Sequence, residues 1–211
     1  MIVIFDNLSA MLVGASVMMI LVGLQMRMTG MSVEQTSTFI VKNQASSLST
    51  WFEEDLLRLG ENIDKTKEVP FLNPTDSASV TTKFEFYRDS LDTSVNPPDT
   101  IRISTRYKLH NSGIRESDDD TITVYRIERE LKVGAAGAWK YSGGSSPLMA
   151  HLKIEMVDAD VKSVADPVAA MTADPLAVRN TRVRFSMVTP FENKRTVIRK
   201  VFYGSTLLIP N

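Results

Sequence analysis

Few side chains in this sequence are of a type and spacing that could do chemistry. Asp118, Asp119 and Asp120 stand in a row, and clustered carboxylates are what a hard cation such as calcium takes. The row lacks the alternating ligands and the turn glycine of a calcium-binding loop, so it reads as a solvated turn before a strand. His110 and His151 lie far apart, with no cysteine or carboxylate pattern of a zinc site, and read as loop or strand-end residues. Gly143-Gly144 is an isolated pair and not a phosphate-binding loop, and no Gly-x-Ser-x-Gly element occurs. The sequence therefore nominates no catalytic residue, no metal ligand and no cofactor, and the expectation is that the protein is not an enzyme.

Asp6 is the most pointed single residue. It directly precedes residues 7–26, NLSAMLVGASVMMILVGLQM, which carry no charge. A bare carboxylate beside such a run is costly, so it needs a partner or water. Two readings follow: Asp6 pairs with an α-amino group inside a bundle of helices, or it caps its own helix at a membrane interface. The aromatics divide similarly. Trp51, Phe52, Trp139 and Tyr141 fit helix–sheet packing, with a glycan or surface platform as the alternative.

These residues must be positioned by a small set of elements. The uncharged run is long enough, at about 1.5 Å per residue, to cross about 30 Å of hydrocarbon. Ala10 and Gly14 form a small-xxx-small pair and Gly23 adds another position of close backbone approach, which suits contact between helices in an apolar medium. Gly30 is the expected weak point, where a bend or melted turn would separate two halves. From Met31 helical spacing resumes with a different polarity. Val41, Ala45, Leu48, Phe52, Leu56, Leu59 and Ile63 step by fours and threes, the period of one helix face, while serines, threonines, Gln44, Glu53, Glu54 and Arg58 fill the rest. The helix is expected to end near 60–64, before the turn-rich residues 69–77.

Beyond this the pattern becomes short alternating strands at 83–88, 100–107, 121–131, 139–141, 152–157, 182–188 and 197–203. Polar loops are expected at 92–99 and 111–120, a Pro/Ala/Asp-rich insertion at 159–179, and a break at 190–195. Alternation without intervening helical repeats predicts antiparallel pairing, with one apolar sheet face covered by the stripe. The expected class is α+β: a long N-terminal helix, apolar in its first half and amphipathic in its second, packed on an antiparallel sheet. The expected domains are 1–30 (membrane-spanning or filament-core helix), 31–66 (amphipathic helix entering the head) and 67–211 (β-rich head).

Composition narrows the partners. Lys and Arg total 24 against 25 Asp and Glu, so charge does not point to nucleic acid or an anionic surface. Cysteine is absent, which excludes disulfides, thiolate metal sites and cysteine nucleophiles. No basic residue precedes the apolar run, and residues 25–28, Gln-Met-Arg-Met, make a poor signal-peptide cleavage site. A transmembrane anchor is one expectation; a mature N-terminus whose basic leader has been removed is the other.

The layout resembles type IV pilins and the pseudopilins of type II secretion. The residues that carry the resemblance are the run 7–26, its continuation through 31–63, the strand at 121–131 and the end 201–208. The chain opens Met1-Ile2-Val3-Ile4-Phe5-Asp6, where that family opens on Phe with Glu at the fifth position; Asp6, one position later, is the counterpart. The resemblance implies a structural subunit of an extracellular or periplasmic filament. It would sit in the inner membrane before assembly and at the cell surface afterwards. Its partners would be copies of itself, the membrane and a membrane assembly machinery. A single-pass, membrane-anchored binding or accessory domain that never polymerises is the rival expectation.

Overall fold

The computed structural model describes residues 2–92, 99–117, 120–190 and 200–209, and side chains from residue 7 onward except those of 117 and 120. The class is α+β. One long helix, α1 (Ile2–Leu56), precedes an antiparallel sheet of eight strands: β1 (Thr75–Ser77), β2 (Val80–Asp92), β3 (Asp99–Ser117), β4 (Asp120–Val133), β5 (Lys140–Gly144), β6 (Met149–Val157), β7 (Asn180–Val188) and β8 (Lys200–Leu208). A short helix, α2 (Pro167–Ala173), lies between β6 and β7. The chain divides into two compact units, residues 1–40 and 41–211. The first is helix alone. The second holds the last turns of α1 and the whole sheet.

Strand order is β1-β2-β3-β4-β6-β7-β8, with β5 also paired to β4. The longest ladder is the β3–β4 hairpin. It continues past Asn111, through a bulge at Asn111/Gly113, into residues that their polarity had marked as loop. Gly113 takes a φ of +129° there, and its N–H donates to Asn111 Oδ1, so an Asx turn absorbs the extra residue. Among the described residues β4 pairs with β6 only at Tyr125 and Met149. Beyond that pair the Ile154 amide donates instead to Thr81 Oγ1 at the start of β2. The sheet thus runs as two groups of strands that part around the core.

That core follows from period-two alternation. Phe84 and Phe86 are buried between half-buried Lys83 and Glu85, and Val183, Phe185 and Met187 repeat the pattern in β7. On the other face charges pair across strands. Arg106 lies opposite Glu130 and bonds it, Arg102 bonds Asp89, and Glu155 takes Arg182 and Arg184. Ile122 and Val124, on the face of β4 away from Ile127, form a separate small cluster with Val188. β8 is a sheet edge on which residues 201–209 carry no charge, with Phe202 and Leu208 exposed.

Several expectations are corrected. α1 is helical straight through Gly30, because one glycine costs only about 1 kcal/mol and the helix continues on both sides. The helix stops at Leu56, not at 60–64. Arg58 and Leu59 tighten into three-residue turns, and Gly60, at φ +76°, donates its N–H to the Tyr87 carbonyl of β2. Leu59 is still buried, but Ile63 lies outside the helix and half-buried, so it is not part of the helical stripe. β1 forms within the stretch read as turns, and α2 within the insertion, capped by Asp166 through the Ala169 N–H. All but the first residue of the 190–195 break, and all but the ends of the 92–99 loop, lie outside the described residues.

Candidate functional site: an apolar helix and a half-buried ionic lock

Over residues 7–33 the helix presents apolar side chains on every side. Met11 is 77 % exposed, Leu12 69 % and Ile20 63 %. Within Asn7–Leu56 an 18-residue window reaches a mean hydropathy of 2.0 with none of it buried. This helix is long and apolar enough to cross a membrane. Two of the hydroxyls in its apolar part are satisfied locally: Ser16 Oγ donates to the Leu12 carbonyl at 2.8 Å and Thr29 Oγ1 to that of Gln25 at 2.9 Å.

Helix geometry sorts the small residues. At about 100° per residue, Ala10 and Gly14 share a face within about 40°, whereas Gly23 lies about 180° from Gly14 and shares its side with Gly30. A Cβ added to Gly14, Gly23 or Gly30 would meet nothing within 4 Å. The helix therefore offers two flat places on opposite sides. The Asp6 side chain lies outside the described residues, as do Asp118 and Asp119 and the side chain of Asp120.

In the second unit Val41, Ala45, Leu48, Phe52 and Leu56 are buried in one cluster with Leu59, Phe86, Tyr107, Ile154 and Phe185. Phe52 meets Tyr107 edge-on at 5.0 Å between ring centres and Phe185 at 5.9 Å. Beside this apolar seam sits an ionic one that the sequence reading missed. The Asp55 carboxylate accepts Arg129 Nε at 2.6 Å and Nη2 at 2.7 Å, a bidentate pair, and also accepts the Tyr107 hydroxyl. Arg129 Nη1 donates on to Ser142 Oγ at 2.7 Å, and its guanidinium lies 5.7 Å from the centre of the Trp51 ring. Two residues earlier on the helix, Glu53 accepts the Tyr203 hydroxyl of β8.

The electrostatics follow from this geometry. Burial, reinforced by the Asp55 charge, holds the Tyr107 phenol well above its ordinary range, so it stays a donor. Burial works against the Arg129 cation, but its hydrogen bonds and attraction to Asp55 outweigh that and raise it. The lock thus sets a cation held charged and a hydroxyl held neutral on one carboxylate.

A signal for it existed. Asp55 falls beside Phe52 and Leu56 on the seam, and Arg129 follows Tyr125 and Ile127 at alternate positions of β4, so both charges interrupt apolar patterns. The other candidates separate. Trp139 packs its face on Arg106 at 3.9 Å, Tyr141 is exposed, His110 pairs with Glu128 at 3.0 Å and His151 is half-buried in β6. Among the described residues no group of three or more histidines and carboxylates is gathered for a metal. No family model, no curated protein and no solved structure matches the chain.

Proposed function

We propose that the chain is a structural subunit of a type IV pilus-like filament, anchored in a membrane before assembly and joined to copies of itself through residues 1–40 afterwards. One observation carries the reading. A single helix carries an uncharged run, residues 7–26, whose side chains are all exposed, while its last turns are sunk in the core of an antiparallel sheet and held there by Asp55 and Arg129. An apolar surface of that extent is not stable in water. Lipid covers it before assembly, and helices of neighbouring copies cover it in a polymer.

Small residues on two opposite sides favour a helix with neighbours on more than one side, as a filament core requires. An open polymer also needs unlike patches to meet, and the two flat places differ in residue and position. Asp6 would set the stagger by pairing with a neighbour's amino terminus. The β-rich head would then lie outside the cytoplasm and cover the polymer, and a membrane assembly machinery would extract the subunit.

The test is electron microscopy of the full chain, purified in detergent and then diluted below micelle formation. Long polymers are expected. Gly14→Leu and Gly23→Leu should each reduce polymer yield, and Asp6→Ala should abolish assembly while the circular dichroism of the head is kept. Small particles that need detergent throughout, with no polymer under any condition, would instead identify a single-pass anchored accessory domain.

A further inference from the structure

Where α1 passes β5, within the second unit, a cavity of about 460 Å³ opens, in the size range of small-molecule sites. Asn43, Gln44, Ser47 and Trp51 of the helix form one wall, residues 142–146 the other, and Leu48 and Met187 complete the lining. The lining offers hydroxyls, amides, an indole and apolar atoms, and none of its side chains is ionisable. A phosphate, carboxylate or ammonium ligand would find no counter-charge there, and burying it would be unfavourable.

Two features make the wall more than a gap. Gln44 Oε1 is buried behind the wall and has no hydrogen-bond partner, so a turn of the amide toward the cavity would bring an unpaired acceptor to a donor there. A Cβ on Gly143 would come within 3.2 Å of Trp51 Cζ2, so glycine is what lets β5 run this close to the indole. Other polar groups of the wall are already engaged. Ser142 Oγ accepts from Arg129, and Ser145 Oγ accepts the Ile127 amide. The unmet demand is therefore for a donor at Gln44, beside an aromatic ring and the Asn43 and Ser47 side chains.

We propose that this cavity binds a neutral saccharide unit. A sugar supplies what the wall lacks: hydroxyl or acetamido donors for Gln44 Oε1, further hydroxyls for Asn43 and Ser47, and a C–H face for the indole. The inference uses only residues 41–211 and does not depend on polymerisation.

It is tested by calorimetric titration of the full chain in lauryldimethylamine oxide, since glucoside or maltoside detergents carry sugar heads of their own. The probes are maltose, cellobiose and N,N′-diacetylchitobiose, with 3′-sialyllactose as the charged control. At least one neutral probe should bind saturably and more tightly than the control. Gln44→Leu should weaken it about tenfold, the worth of one hydrogen bond, without lowering Tm. Ser47→Phe, a change at an exposed helix position that fills the cavity, should abolish it. No heat with any neutral probe, equal affinity in all three proteins, or binding of the control as tight as the best neutral probe would overturn the proposal. So would a variant that loses binding only because it has unfolded at the temperature of the titration, unless the other, folded variant loses it too.

Discussion

The Asp55 carboxylate is the residue on which the grip between helix and sheet turns. Its side chain is 13 % exposed and that of Arg129 is 16 %, so neither is freely hydrated. Removing one charge strands the other. Asp55→Asn should cost about 3 kcal/mol in urea unfolding of the full chain, because breaking a largely buried pair leaves an uncompensated cation. The double variant Asp55→Leu/Arg129→Met should recover part of that loss, and measured with Asp55→Leu and Arg129→Met alone it closes the cycle that isolates the pair. A single-variant cost within about 0.5 kcal/mol, the range of ordinary surface changes, would show that the pair holds nothing.

His151 gives a second expectation at this scale. Burial, together with the Arg184 and Lys153 charges, lowers its pKa from 6.5. The unfolded chain then takes up a proton that the folded chain resists, so stability is full above about pH 6.5 and falls as the pH drops below it. His151→Gln should remove that slope from the acid side of the stability curve, as read by thermal unfolding between pH 7 and 5. An identical slope in both proteins would place the acid sensitivity elsewhere.

At the scale of elements, the long helix and the strands at 83–88, 121–131, 152–157 and 182–188 were legible because their periods are strong: fours and threes in one, twos in the others. What was not legible has a physical reason in each case. Leu59 and Ile63 keep the helical spacing, so the pattern runs past the true end. The stop comes from Gly60, whose left-handed backbone lets its N–H reach Tyr87. Gly60→Ala should destabilise by about 1–2 kcal/mol, since the position requires positive φ and the new Cβ would come within 3.1 Å of Pro70 Cγ. Unchanged Tm in that variant would mean the helix end can relax without loss.

The hairpin at 111–117 was read as loop because its residues are polar. A ladder needs backbone pairing, not apolar side chains, and an exposed hairpin arm can be polar on both faces. Likewise α2, too short for a periodic signal, depends on one aspartate cap and a proline start. The lock itself was hidden for the opposite reason. Sequence patterns place charges on surfaces, and Asp55 and Arg129 are charges that the fold turns inward as a pair.

At the scale of the whole molecule, the two units divide the labour of solubility unequally. Residues 41–211 gather one large buried apolar cluster, though some large side chains such as Phe202 and Leu208 stay exposed, and the outer sheet face carries cross-strand ion pairs. Residues 1–40 hold only three charges, Asp6, Arg27 and Glu34. The same division sorts the sulfur atoms. Met11, Met18, Met19, Met26, Met28 and Met31 are each more than half exposed, whereas Met149, Met156, Met171 and Met187 are buried in the core.

Dilute peroxide applied to the full chain in detergent, with peptides read by mass spectrometry, should therefore convert the second group last. If the buried four react as fast as the rest, the core is not closed. A thioether that gains an oxygen becomes polar, and six such changes along one helix would make it unfit for any greasy neighbour. A copy that lingers uncovered under oxidising conditions would thus carry a chemical clock, spoiled for reuse at one end while its folded remainder stays whole.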